Sequence, residues 1–280
     1  MLNIDKNLLN QIVKSYRREI IAAVVLILAY APVLQWMWDR WFARDSYYSH
    51  GILVPLVTIF LIWQKRDELK AIKREESPWG MRLIIGGVLL HVLSSLFRVY
   101  FVSGFSMLTV LIGLTLYFYG WKMFRAVSFP ICFLIFMIPL PLVVITDISF
   151  TMKIFAAKIA AFLLNSMRIP AIREGSLIKM QHAYVMVDDV CSGLRSLISL
   201  TALGSIFAYW MKSGLMRKVA LFLSTIPIAI LTNVFRIVFL SFISEVWGPQ
   251  YAVGFIHDLS GFLVFALAFV LLFAMGKLLE

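Results

Sequence analysis

Apolar runs of roughly 17 to 25 residues, separated by short polar breaks, recur along nearly the whole chain. That is the length an α-helix needs to cross about 30 Å of hydrocarbon, where each backbone polar group must be satisfied inside its own segment. The pattern predicts about eight transmembrane helices, at roughly 19–38, 50–64, 82–98, 99–120, 126–146, 191–211, 219–243 and 258–276. The second is short unless it takes in Tyr47 and Tyr48. The expected fold is an all-α integral membrane protein, one polytopic domain over residues 1–280.

The pattern changes between the fifth and sixth runs, where residues 147–190 read as an extracytoplasmic insertion. Asp147, Thr151, Lys158, Asn165 and Arg168 fall on one side of a helix whose other side is Ile, Phe, Ala and Leu, an amphipathic helix for the outer face or the bundle flank. Pro170 ends it. The stretch from "REGS" (173–176) then alternates like a strand through Lys179, Gln181, Val185 and Val187. A short hairpin is expected there, delivering the chain to Asp188, Asp189 and Cys191.

Composition agrees with this class. The chain has 280 residues, 61% of them hydrophobic, too apolar for a soluble domain of that length. Its net charge of +11 would suit nucleic acid, but Lys and Arg cluster at the ends of the apolar runs, which is a signature of topology. With the N-terminus inside, the cytoplasmic segments carry twice as many Lys and Arg as the outer ones, so both termini are expected in the cytoplasm. "AYA" (29–31) resembles a signal-peptide cleavage site, but Pro32 follows and the run continues to Trp38; an uncleaved first span is expected.

Helical rise converts distance from each cytoplasmic anchor into depth. Cys191, Arg236 and His257, counted from Lys212, Lys218 and Lys277, come out about 32, 27 and 30 Å above the inner boundary. A thiol, a guanidinium and an imidazole from three successive spans therefore arrive at one height, near the outer edge of the hydrocarbon. Cys191 opens a helix, where the dipole favours a thiolate, although Asp188 and Asp189 oppose it. Arg195 follows one turn later, at about 26 Å, and competes with Arg236 for the task of stabilising negative charge. His257 is the one of these groups that exchanges a proton near neutral pH. Ser260 and Gly261 beside it faintly resemble a serine nucleophile, but Ser and Gly are common helix-packing residues in membranes.

Other polar residues have plainer expectations. Cys132, in "FPICFLIF", sits about 9 Å above the inner boundary, too far below Cys191 for a disulfide. His91 is expected to make an interhelical hydrogen bond. His50, in "YYSHG", stands at the outer end of the second span among belt aromatics. No zinc spacing, P-loop or dinucleotide fingerprint is present, so no metal or cofactor is expected.

Four stretches, "YYSHGILVP" (47–55), "CSGLRSL" (191–197), "NVFRIV" (233–238) and "HDLSGF" (257–262), together resemble the bacterial exosortases, relatives of the archaeosortases. The resemblance implies a cysteine transpeptidase or protease that processes exported proteins bearing a C-terminal sorting tail with a Pro-Glu-Pro type motif, a transmembrane helix and a basic end. It places Cys191 as nucleophile, Arg236 in the second catalytic position and His257 in the third. Arg195, His50 and Asn233 are candidate substrate contacts. It further implies a multi-pass protein of the bacterial inner membrane with an outward-facing site, whose partners are the tailed proteins, the bilayer and an acceptor in the envelope, with no role for nucleic acid. Two other readings stand beside it: a transporter or assembly component for extracellular polysaccharide, weakened by sparse intramembrane charge and no visible inverted repeat, and a membrane acyltransferase using His257. Only the first makes the sulfur of Cys191 indispensable.

Overall fold

The computed structural model describes residues 16–44, 46–187, 193–252 and 254–280. It is an all-α membrane protein carrying one small sheet, and its described residues divide into two compact units.

The first unit holds the described part of Met1–Ala43 together with Ser49–Pro139. Helices α1 (Arg17–Ala29) and α2 (Ala31–Trp41) meet at a bend of 62°. Pro32 explains it: the ring removes a helical donor and crowds the preceding turn. Buried Tyr30, at the bend, hydrogen-bonds Ser106 at 2.9 Å. A 3-10 turn (Ser49–Ile52) leads into α3 (Leu53–Gln64), followed by the short α4 (Arg66–Ala71) and by α5 (Pro78–Leu96).

The next helical run, α6 (Tyr100–Phe133), is broken at Gly120, whose φ of 77° and ψ of −174° are not helical. Gly104 lies against Ile138. A straight helix would hold those residues about 50 Å apart, so the chain folds back at Gly120 into two antiparallel arms. Only glycine fits there, since φ is positive and a Cβ would overlap the carbonyl oxygen of Glu75. The second arm contains Pro130, which leaves the Ala126 carbonyl without its helical donor; Lys65 Nζ supplies one at 2.9 Å. His91 makes the interhelical contacts its position predicts, with Ser103 Oγ at 3.1 Å and the Ala29 carbonyl at 3.2 Å.

The second unit holds Leu140–Glu280 with the segment Arg44–Tyr48. Its first helix, α7, spans Leu142–Ser166, so it starts inside the region expected to be the fifth span and well before Asp147. Pro139 and Pro141 make this break, because each removes a backbone donor and disfavours helix in the residue before it. The hydropathy runs on unbroken, which hid the boundary. Asp147, Thr151, Lys158, Asn165 and Arg168 are all exposed, while a small-residue stripe, Ala156, Ala157, Ala160 and Ala161, is buried.

The expected hairpin is instead a three-stranded antiparallel sheet, β1 (Ile172–Glu174), β2 (Leu177–Lys179) and β3 (Tyr184–Met186), in the order β1-β2-β3. Gly175 (φ 62°) and Ser176 form the two-residue turn that joins the first two strands. Ile178 and Val187 bury the sheet's inner face in one core with the alanine stripe of α7 and with Val234 and Ile237. Helices α8 (Leu194–Trp210), α9 (Leu215–Trp247) and α10 (Phe255–Leu279) complete the unit.

Among the described residues, four helical runs are long and apolar enough to cross a membrane, five if the bent pair α1–α2 counts as one span. One of the four is the folded-back run Tyr100–Met137, and two further apolar helices, Ser49–Gln64 and Leu194–Trp210, are shorter.

Candidate functional site

Helix periodicity puts Asn233 and Arg236 one turn apart on α9, and His257 and Ser260 one turn apart near the start of α10. The two helices pack so that these pairs meet. Arg236 Nε donates to Ser260 Oγ at 3.0 Å, and its Nη2 stands 3.2 Å from both the Nε2 and the carbonyl oxygen of His257. Ser260 Oγ donates in turn to the His257 carbonyl at 2.6 Å. An arginine side chain has no acceptor atom, so in this contact His257 Nε2 accepts and the proton of the neutral ring resides on Nδ1. The Ser260 proton is committed to a carbonyl, so this hydroxyl braces the guanidinium and is not poised as a nucleophile.

Arg236 and His257 line a cleft of about 450 Å³. Strand β3 and Val187 line it together with Ile237, Leu240 and Ser244 of α9. Among the described residues no carboxylate pairs with Arg236, so its charge is available to an anionic group that enters the cleft. Ser244 Oγ and Asn233 Nδ2 are buried without a hydrogen-bond partner among the described residues, a costly condition that polar groups at binding sites tolerate.

Cys191 lies outside the described residues, as do Asp188 and Asp189. The described chain stops at Val187, in the cleft wall, and resumes at Gly193, which packs on Asn233. Gly193 has φ 81°, and a Cβ there would fall 2.8 Å from Asn233 Cγ, so the "CSG" glycine answers both a backbone and a steric demand. Arg195, in the first turn of α8, does not join the Arg236–His257 cluster; its Nε is buried without a partner among the described residues. His50 belongs to the first unit, half-buried in the turn Ser49–Ile52. Cys132 is exposed on the second arm of α6.

Some of the site was not read from the sequence. The alternation through Val185 and Val187 marked a strand, but that it is the third of three with an open edge, and that Ser244 of α9 lines the same cleft, gave no signal. The clamp between His182 and Glu245, with the carboxylate accepting from the His182 backbone N–H at 3.0 and 3.1 Å and 2.9 Å from Nδ1, joins residues far apart in sequence. The spacing of Ser260 from His257 was visible; its role was not.

A family model described as transmembrane exosortase (Exosortase_EpsH) matches residues 38–274. No curated protein and no solved structure gives a significant match.

Proposed function

The chain belongs to the transmembrane exosortase family, and from that premise we propose that it is a membrane-embedded cysteine peptidase or transpeptidase acting on C-terminal sorting tails of exported proteins. Cys191, as thiolate, attacks the carbonyl carbon of the scissile peptide; the sulfur–carbon bond forms and the carbonyl electron pair moves to oxygen. Arg236 swings its Nη2 to that oxyanion, and the same movement frees the Nε2 lone pair of His257 to hold the thiol proton. The proton passes to the leaving amine as the carbon–nitrogen bond breaks, leaving an acyl-thioester. Water, or an amine on an envelope acceptor, then releases the acyl group and regenerates the thiol.

The observation that carries this reading is the hydrogen-bonded Arg236–His257 pair lining a cleft large enough for a short peptide. Two peptide units separate Cys191 from Gly193, about 7 Å when extended, and Gly193 rests on Asn233, one turn from Arg236. The proposal extends to eight crossings of the bacterial inner membrane with both termini in the cytoplasm and the cleft on the outer face.

Co-expression with a tagged reporter carrying a Pro-Glu-Pro sorting tail tests it. The intact protein is expected to shorten the reporter, and Cys191→Ala and Cys191→Ser to leave it whole. Product mass separates a free carboxyl from a transferred acyl group. Equal processing by Cys191→Ala would end the thiol mechanism and return the polysaccharide-assembly reading.

A further inference from the structure

Strand β3 lies at the edge of its sheet, and its residues line the cleft. The hydrogen-bond phase shows which groups are free. Val187 N–H donates to the Ser176 carbonyl and Met180 N–H to the Ala183 carbonyl, so the backbone groups of Ala183, Val185 and Val187 point toward β2. Those of Tyr184 and Met186 therefore point the other way, and among the described residues nothing bonds to them. Proteins usually blunt an open edge with proline, lysine or a covering element. Here the edge is the uncharged Tyr-Val-Met, and all three residues line the cavity that holds Arg236 and His257.

From this geometry we propose, resting on the peptidase reading above, that the substrate tail docks as an extended segment that adds a fourth strand to β3. The N–H and carbonyl groups of Tyr184 and Met186 supply up to four main-chain hydrogen bonds, and alternate side chains of the segment face α9, where the unpartnered Ser244 hydroxyl waits. Strand addition fixes register by backbone, so it carries the scissile peptide along β3 toward the guanidinium while leaving most side chains of the tail unspecified. The edge is held rigid for this task. Val187 and Ile178 are buried under it, and the His182–Glu245 clamp ties the chain just ahead of β3 to α9.

Main-chain recognition has a signature that side-chain recognition lacks. A proline scan through the extended segment of the reporter, processed by the unaltered full-length protein in membranes, should show sensitivity with a period of two: proline is tolerated where the N–H faces away from β3 and blocks processing at least tenfold where it faces it. On the enzyme side, Met186→Pro removes an N–H that takes no part in the β2 ladder and is expected to lower processing at least tenfold, and at least five times as far as Met186→Ala, which keeps that N–H. A benzophenone amino acid at position 184 of the Cys191→Ala protein should cross-link the reporter, which reads docking without chemistry. Proline sensitivity without a period, or Met186→Ala falling as far as Met186→Pro, would overturn strand addition even with the peptidase intact. Cross-linking together with processing by Cys191→Ala would sink the thiol mechanism and leave the docking in place. Neither cross-link nor processing would remove the tail as the occupant of this edge.

Discussion

The two units each hold a half-buried histidine between helices, and the two are finished differently. His91 is saturated: one ring nitrogen meets Ser103, the other the Ala29 carbonyl, and Ser103 is itself bonded to Ser94 at 2.6 Å. The cluster closes on itself and glues helices together. His257 meets a guanidinium that has no carboxylate partner among the described residues, in the lining of a cleft, with buried Asn233 and Ser244 left short of partners among the described residues. A polar group within a membrane protein is structural when its bonds are complete within the bundle, and points to chemistry when they are completed only by something that enters.

Mutations can break this contrast or sharpen it. The largest effects belong to the open cluster: His257→Ala should slow reporter processing by about 10²–10⁴-fold, and Arg236→Ala by about 10²–10³-fold, with both proteins retaining wild-type thermal stability in detergent. Loss of folding in step with activity would make the cluster as structural as that of His91. Gly193→Ala comes next. It forces an L side chain to φ 81° against Asn233, and about 1–2 kcal/mol of strain plus the steric overlap should cost processing tenfold or more. Paired with Asn233→Ala, which opens space, part of that loss should return. His91→Ala is the counterpart: about 1–3 kcal/mol of stability lost in thermal melts, with processing per folded molecule unchanged. The smallest effect concerns Lys65. Lys65→Met should cost about 1 kcal/mol, and less when Pro130→Ala restores the helical donor to the Ala126 carbonyl, a coupling that a double-mutant cycle reads directly.

Sequence arithmetic reached the open cluster because α9 and α10 continue as helices between their anchors and the site, so residue number converts to height and Arg236 and His257 arrive together. It failed where the backbone departs from a helix without a change in hydropathy. The Pro139 and Pro141 break sits in an apolar stretch, and an apolar count runs through it. The strand character around Val185 was legible, but the number of strands and the open edge were not, for a related reason: pairing is set by hydrogen-bond phase over three residues, not by a pattern of side chains. Arg195 comes out at about the same depth as Arg236, but among the described residues it does not join the cluster, and spacing from a distant anchor does not choose between the two arginines.

The turn at Gly120 bears on how the protein enters the membrane. Its two arms share no loop, so no polar segment is available to be carried across the bilayer between one helix and the next. The end of the first arm and the start of the second therefore lie on the same side, and Lys122 and Arg125 follow just past the turn. The arms therefore form one helical hairpin, and an insertion at the turn is expected to disturb both together.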